Sequence, residues 1–489
     1  MVLKTPEEYV ESLKKLKLNV YMFGEKIVDF TSHPIIRPSI NSVAKTYEVA
    51  QNPEYSQIAT ATSHLTGEKV NRFTHIHQNT EDLIKKLQLL RLLGQLTGTC
   101  FQRCPGWDAI NALYSVTYEI DQKYGTQYHE RLKNYVKYLQ REDLVACAAM
   151  TDPKGDRSLR PSNQPDPDLY LHVVEELKDG IVVRGAKAHQ TGAINSHEKI
   201  VMPTVAIGDK EKSYAVSFAV PGDAKGIIYV YGRQSCDLRK TEKNVEIDLG
   251  NPKFGGQEAL IIFDDVFVPK ERIFMFGEYE FTRSLVERFA GFHRHSYGGC
   301  KVGCGDVLIG ATSLIAEYNG IAEASHVRDK IAEMIHLNET LWACGLAASV
   351  EGEKTSSGAY QINLMLANVC KLNVTRNPYQ IARLAQDIAG GLMVTLPSEK
   401  DFKHPEIGKY LDKYFKGKTE VPTEHRVRIL RLIENMTLGF GAVGYLVESL
   451  HGAGSPQTQI VMIRRLVNLE EKKKFAKKIA KIEDNPTKT

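Results

Sequence analysis

The sequence predicts an α+β protein in three successive parts: an N-terminal helical domain, a middle antiparallel β domain and a C-terminal helical bundle. Three observations predict it. From Thr5 to about Leu144, apolar residues recur at three- and four-residue steps. Between about Tyr170 and Phe274 the apolar runs become short, rich in Val and Ile, and bounded by Gly, Pro and Asp. From about Phe281 the helical spacing returns. The expected boundaries are 1–143, 144–280 and 281–489.

The first helix is expected after Thr5 as N-cap, with Pro6 at the first helical position and Glu8 closing a capping box. "TEDLIKKLQLLRLLGQLTG" and "YHERLKNYVKYLQREDLVACAAM" carry clear helical periodicity, and the first runs on towards "CFQRC". At "MTDPKGDRSLRPSNQPDPD" Pro, Asp, Gly and Ser cluster as in a long functional loop. Strands are read at "GIVVRGAKAHQ", "KIVMPTVAIG", "YAVSFAVPG", "GIIYVYG" and "ALIIFDDVFVP". Long helical segments then begin at "FTRSLVERFAGFHRHSYGGCKVGCGDVLIG" and continue through "TEHRVRILRLIENMTLGFGAVGYLVESL".

At 489 residues, with 42% hydrophobic and 25% charged, the composition is that of an ordinary soluble protein. Its 63 basic residues nearly balance 59 acidic ones, which removes the concentrated basic face that nucleic acid would require. The basic run "EEKKKFAKKIAKIED" reads as a solvated terminal helix face. No apolar run approaches the roughly 18–20 residues of a bilayer span, and charges interrupt the N-terminus where a signal peptide would need an apolar core. A cytoplasmic location is expected. Eight cysteines in such a chain point to thiols, metals or catalysis rather than disulfides.

Two segments concentrate that chemistry. In "CFQRC", Cys100 and Cys104 would share a face if the surrounding helix continued through them. In "FHRHSYGGCKVGCG", at about 100° per residue, His293 and Cys300 fall within roughly 20° of each other, with Tyr297 and Cys304 on the same face and His295 turned away. Two thiols facing a thiol–imidazole pair would suit zinc or an iron–sulfur cluster. The spacing matches no common metal template, and by itself favours buried apolar cysteines. Two glycines in "SYGGC" weaken a helix unless something bulky approaches the backbone there. Lys301 and Tyr297 add polar groups beside the thiols. His295 reads as a surface imidazole or as one supporting the site from behind.

"CFQRC", "MTDPKGDR", "RGAKAHQTGAINSHE", "FGGQEAL", "ERFAGFHRHSYGGCKVG", "DIAGGLMVTLPSE" and "ESLHGAGSPQ" together resemble the 4-hydroxybutyryl-CoA dehydratase family over essentially the whole chain. The resemblance implies an acyl-CoA dehydrogenase-like fold and a homotetramer, a dimer of dimers. It implies a 4Fe–4S cluster held by Cys100, Cys104, His293 and Cys300. It implies FAD between the helical and β domains, at Ala149, Met150, Thr151, Lys154, Gly155, Asp156 and Arg157 and at His189, Gln190 and Thr191. Gly390 and Gly391 match a region that contacts flavin near a subunit interface. Gln102, Thr191, Glu258, His293, Tyr297, Lys301 and Glu448 match the family's active centre, with Glu258 a candidate to orient His293. Two positions depart from the family pattern: His295 stands at a Gln and Cys304 at an apolar residue. Cys147, Cys236, Cys344 and Cys370 have no motif around them and are expected in the core.

The activity so implied is radical dehydration of 4-hydroxybutyryl-CoA to crotonyl-CoA, with isomerisation of vinylacetyl-CoA. The thioester acidifies the C2 hydrogen, but the C3 hydrogen is not activated and the C4 hydroxyl leaves poorly. Transient one-electron oxidation by flavin would overcome both obstacles, with the cluster acting as a Lewis acid. Two other readings stay open. One is a flavin-dependent aromatic monooxygenase of the same fold with the cysteines as core; the other is a zinc-stabilised helical binding protein without catalysis.

Overall fold

The computed structural model describes residues 3–482. The chain begins as its capping signals require. Thr5 accepts from the Glu8 amide and Glu8 reaches back to the Thr5 amide, starting a helix at Pro6–Lys14. The N-terminal part is not wholly helical, however. Val20–Met22 and Glu25–Ile27 form a hairpin turned by Phe23 and Gly24, both at positive φ, and Val20–Met22 pairs in parallel with Ile227–Tyr231. These strands are only three residues each, too short for alternation to reveal.

Two sheets form the middle of the molecule. One has six strands in the order Glu25–Ile27, Val20–Met22, Ile227–Tyr231, Glu258–Pro269, Gly180–Thr191 and His172–Leu177. The other has four: Ile273–Phe276, Val216–Pro221, Glu198–Val201 and Ala146–Ala149. Pairing is antiparallel apart from Val20–Met22 with Ile227–Tyr231 and Ala146–Ala149 with Glu198–Val201. The segment "ACAA" had read as the tail of a helix. That helix ends at Arg141, and the four small residues continue as a fully buried strand. A short apolar run looks alike in both states, so periodicity could not separate them.

The C-terminal part is built on one 37-residue helix, Thr282–Tyr318. It packs against the helices Thr80–Thr97, Cys104–Tyr124, Ser325–Val350 and Leu364–Val374. The segment Tyr279–Tyr318 is long and apolar enough to cross a membrane, but 67% of its most apolar window is buried within the protein. Its apolar character is thus used in the core.

The glycines of this helix are explained by its neighbours. A Cβ at Gly299 would stand 2.7 Å from the Leu87 carbonyl oxygen, and one at Gly94 would stand 2.7 Å from the Cys300 carbonyl oxygen. At Gly303 it would run into the Arg91 carbonyl. The helices Thr80–Thr97 and Thr282–Tyr318 therefore meet backbone to backbone, and the bulky object facing "GGC" is another helix. Gly298 faces a third helix, where a Cβ would lie 3.1 Å from the Gly345 Cα.

This contact makes a paired prediction. Gly303→Ala should destabilise the protein by roughly 1–3 kcal/mol through overpacking. Gly310→Ala, in the same helix with open space around its Cβ, should instead gain up to about 1 kcal/mol of helix propensity. Chemical denaturation of the two variants reads the difference, and equal effects would contradict the backbone contact.

Candidate active site

The Thr80–Thr97 helix stops at Gly98, which is left-handed, and the next helix starts at Cys104. "CFQRC" is therefore a loop, not a helical turn, and its residues do not share a helix face. Gln102 turns the loop with φ +64. Its amide donates to the carbonyls of Gly255 at 2.9 Å and Cys100 at 3.1 Å, and accepts from Asn195 at 3.0 Å. Gln102 thus braces the loop against the β domain. Gly256 and Gly444 bring backbone against Cys100 from two sides, where added Cβ atoms would lie 3.8 and 3.5 Å from its own.

The central helix supplies the facing side. His293 shares its Nδ1 hydrogen bond with Asp108 at 2.8 Å, so its Nε2 is free of that partner. Ligand atoms of Cys104, Asp108 and His293 lie within 4.8 Å of one another. Asp108 is fully buried, ion-paired to fully buried Lys86 at 2.5 Å and bonded by the Ser296 hydroxyl. The sequence reading missed Asp108 and Lys86; a carboxylate four residues after a candidate ligand, one helical turn on, was the available signal.

The thiols of Cys100, Cys104 and Cys300 lie close enough to influence one another's ionisation. Burial pushes Cys300 up to about 11, and holds Cys100 and Cys104 well above the ordinary cysteine range. A metal would have to displace their protons, as thiolate ligation does. Three soft thiols and an imidazole held by a carboxylate fit a metal cluster in donor chemistry. Cys304 is placed differently: it donates to the Thr99 carbonyl at 3.5 Å and sits in the C-terminal core with Leu308 and Tyr445. His295 is fully buried, not at the surface, and meets Ser349 at 2.7 Å on the Ser325–Val350 helix. Cys147, Cys236 and Cys370 are buried, and Cys344 is partly buried.

An acid–base network adjoins the thiols. Lys301 donates to Glu448 at 2.7 Å and to the Gly444 carbonyl, and its amine lies 5.1 Å from the Tyr297 ring centroid. Glu448 follows a π-helical turn at Val443–Val447, a widened turn common at functional sites. Glu258 and Thr191 are register partners on adjacent strands, and the Thr191 hydroxyl donates to Glu258 at 2.6 Å. Glu258 therefore bonds Thr191 and faces Glu448, and no hydrogen bond between it and His293 is found among the described residues. Burial, with the Glu448 carboxylate opposite, holds the Glu258 carboxyl well above its usual range. Burial works against the Lys301 ammonium, but Glu448 and the neighbouring thiols keep it above the ordinary lysine range. Gly452 leaves room for the Tyr297 hydroxyl, which a Cβ there would strike.

The flavin-loop candidates gather at the edge of this centre. The Thr151 carbonyl accepts from the Ala188 amide at 2.8 Å, and the Met150 carbonyl from Lys187 at 2.8 Å. Buried Lys187 also pairs with Asp152 at 2.8 Å, tying the loop after Ala149 to the long strand. Lys154, Gly155 and His189 take positive φ. Lys154 and Arg157 are electrostatic neighbours of His189, with His451 alongside, and the two charged side chains suit phosphates. Asp156 anchors the loop through its amide to Gln164 at 3.1 Å, and Gln190 reaches the Thr151 carbonyl at 3.4 Å. His451 was not anticipated from sequence. Gly390 and Gly391 lie on an exposed turn with nothing near their Cβ positions, outside this gathering within one chain. A cavity of about 440 Å³ at the start of the Thr80–Thr97 helix is lined by none of these residues.

Glu258 gives a pH-dependent prediction. Above about 4.5 the unfolded state loses this proton while the folded state keeps it, so stability is full below that pH and is lost as pH rises. Glu258→Gln is isosteric with the protonated acid and should remove that loss. Melting curves of wild type and variant should therefore diverge in the variant's favour as pH rises from about 5 to about 8. Parallel curves would show that Glu258 is ionised.

Comparisons with known proteins identify the family of the chain. Family models described as 4-hydroxyphenylacetate 3-hydroxylase N terminal and C terminal match residues 5–275 and 282–481. A 4-hydroxybutyryl-CoA dehydratase/vinylacetyl-CoA-Δ-isomerase of Clostridium aminobutyricum is 60% identical, covering 98% of this chain and all of that one. The solved oxygen-tolerant archaeal 4-hydroxybutyryl-CoA dehydratase from N. maritimus is 57% identical, covers 99% of this chain and 96% of that one, and superposes with a TM-score of 0.97. The oxygenase component of a 4-hydroxyphenylacetate 3-monooxygenase, solved with FAD, is 27% identical with a TM-score of 0.85, over 97% and 98% of the two chains. Matched by both halves of the family models, and by the clostridial protein from end to end, the chain belongs to the 4-hydroxyphenylacetate 3-hydroxylase family, in its 4-hydroxybutyryl-CoA dehydratase/vinylacetyl-CoA-Δ-isomerase branch.

Proposed function

We propose that this chain is a lyase with isomerase side activity, converting 4-hydroxybutyryl-CoA to crotonyl-CoA and water and vinylacetyl-CoA to crotonyl-CoA. The observation that carries the reading is the Lys301–Glu448–Glu258 network set beside the thiols of Cys100, Cys104 and Cys300, with His293 within ligand distance of Cys104. A monooxygenase would leave that conjunction of buried thiols and paired carboxyls without a task.

Cys100, Cys104, Cys300 and His293 would hold a 4Fe–4S cluster, and the loops at 149–157 and 189–191 would hold FAD. When bound, the flavin supplies reversible one-electron oxidation, and the cluster supplies a Lewis acid for the C4 oxygen. The remaining work falls to side chains. Glu448, and His293 once its Nε2 is released from the metal, would take the C2 and C3 hydrogens. Glu258 and Tyr297 hold protons in a buried setting, available to the departing C4 hydroxyl. One proton returned to C4 completes the methyl group of crotonyl-CoA, so only water is lost overall. Lys301 keeps Glu448 oriented and balances its charge. Asp108 and Lys86 keep His293 oriented.

The reading extends to assembly and location: a homotetramer in the cytoplasm, with Gly390 and Gly391 at a flavin near a subunit interface. The helix Leu469–Ala480 supports subunit contact, because it buries no residue while leaving Phe475 61% and Ile479 84% exposed. Sedimentation of the wild type should give a tetramer, and Phe475→Glu with Ile479→Glu should give smaller species. A monomeric wild type would refute the assembly.

Anaerobic purification followed by iron, sulfide and flavin assay tests the cofactors. About four irons and four sulfides per chain with flavin are expected; flavin without iron overturns the dehydratase reading. Cys104→Ala should lose iron and dehydration together. Cys304→Ala should retain both, since its thiol bonds to Thr99 instead of facing Cys100 and Cys104. Loss of iron in that variant would show that Cys304 is the ligand in place of Cys300.

A further inference from the structure

Among the segments that carry Cys100, Glu258 and Glu448 lies a second cavity, which the foregoing chemistry does not use. Its enclosed volume is about 30 Å³, room for roughly two or three waters. Thr99, next to Cys100, lines it, and so does Gly256, two residues before Glu258. Gly441, two residues before the π-helical turn that leads to Glu448, lines a third side. Ser235 lines it too, and its hydroxyl accepts from the Glu258 amide at 3.2 Å. The cavity is therefore bounded by three of the segments that compose the site.

Lys240, on the 3₁₀ turn Leu238–Thr241, lines the same slot. Its amine lies 3.6 Å from where a Gly255 Cβ would stand, and a Cβ on the next residue, Gly256, would lie 3.8 Å from that of Cys100. Among the described residues this amine forms no hydrogen bond and no ion pair; the nearby Asp237 carboxylate is taken by Arg239 at 3.0 Å. Burial lowers the amine to about 8 against the pull of Asp237, which leaves it charged at neutral pH. A cation that has lost water without gaining a partner is unfavourable. The arrangement is accounted for if a ligand brings the acceptor.

The walls say which ligand. Ile35, Pro38, Phe254 and Phe440 make them largely apolar, and the nearby Asn251 amide is already occupied by the Thr97 carbonyl at 2.8 Å. A narrow passage with apolar walls and one free cation suits an unbranched chain that carries an amide carbonyl. A ring would need more room, and a pyrophosphate would call for more than one cation.

We propose that this slot admits the pantetheine arm of the acyl-CoA substrate and that Lys240 holds one of its amide carbonyls, with the thioester end directed past Gly256 towards Cys100. The substrate's identity rests on the dehydratase reading. The test measures binding of crotonyl-CoA and of crotonyl-pantetheine to the anaerobic holoenzyme by calorimetry, in wild type, Lys240→Met and Lys240→Arg. Lys240→Met keeps the length of the side chain and removes the charge; Lys240→Arg keeps the charge.

Lys240→Met should weaken both ligands about tenfold and by the same factor, and Lys240→Arg should restore most of the loss. In turnover Lys240→Met should raise KM about tenfold with kcat within about twofold, iron and flavin retained. Equal binding by wild type and Lys240→Met overturns the proposal. So does a loss confined to crotonyl-CoA, which would put the amine on a phosphate, or a loss of kcat at unchanged KM. A wild-type holoenzyme that binds neither thioester refutes the dehydratase reading and the slot together, whereas tight wild-type binding that ignores Lys240 refutes the slot alone.

Discussion

The close crossing of the helices Thr80–Thr97 and Thr282–Tyr318 is the contact on which the site depends. Gly94, Gly299 and Gly303 let the two backbones touch, and nothing larger than hydrogen fits at those positions. The crossing fixes the C-terminal end of one helix, from which the Cys100 loop springs, against the middle of the other, which carries His293 and Cys300. A separation larger by one methyl group would be felt in the placement of every donor between them. The site is thus specified first by what the helices omit.

The second organising fact is that the two carboxyls come from different parts of the chain and meet different environments. Glu448 arrives on a helical turn and finds Lys301; Glu258 arrives at a strand end and finds Thr191 and the Glu448 carboxylate. Two carboxyls set apart in this way can serve as base and acid at one pH. The buried Lys86–Asp108 pair performs a related service for His293. Its own net contribution to stability is small or negative by the usual balance of desolvation and attraction, so its value lies in holding the imidazole's orientation.

How much of this was legible in the sequence follows from how regular each segment is. His293, Tyr297 and Cys300 could be placed together because the helix bearing them runs unbroken through all three. Cys100 and Cys104 could not be placed by the same rule. Gly98 ends the helix and left-handed Gln102 bends the loop, a conformation that spacing does not encode. The middle sheets were legible where strands were long, and were missed at Val20–Met22, Glu25–Ile27 and "ACAA", where each strand is only three or four residues. Asp108 and Lys86 depend on contacts between residues 22 to 206 positions apart, and no local pattern announces those. The resemblance to a family supplied the proposed ligand set; the fold brings two of its members, Cys104 and His293, within ligand distance.

The π-helical turn at Val443–Val447 carries a consequence for how such a centre can arise. Widening a turn by one residue shifts everything after it by about 100° around the helix axis relative to an uninterrupted α-helix. Val447, directly before Glu448, is half exposed, so the direction one step away points outwards. A single inserted codon would therefore suffice to rotate a surface carboxylate inwards onto Lys301, and a single deletion to send it back out. On this scaffold, gaining or losing a base turns on the register of the helix, with Glu448 itself unchanged.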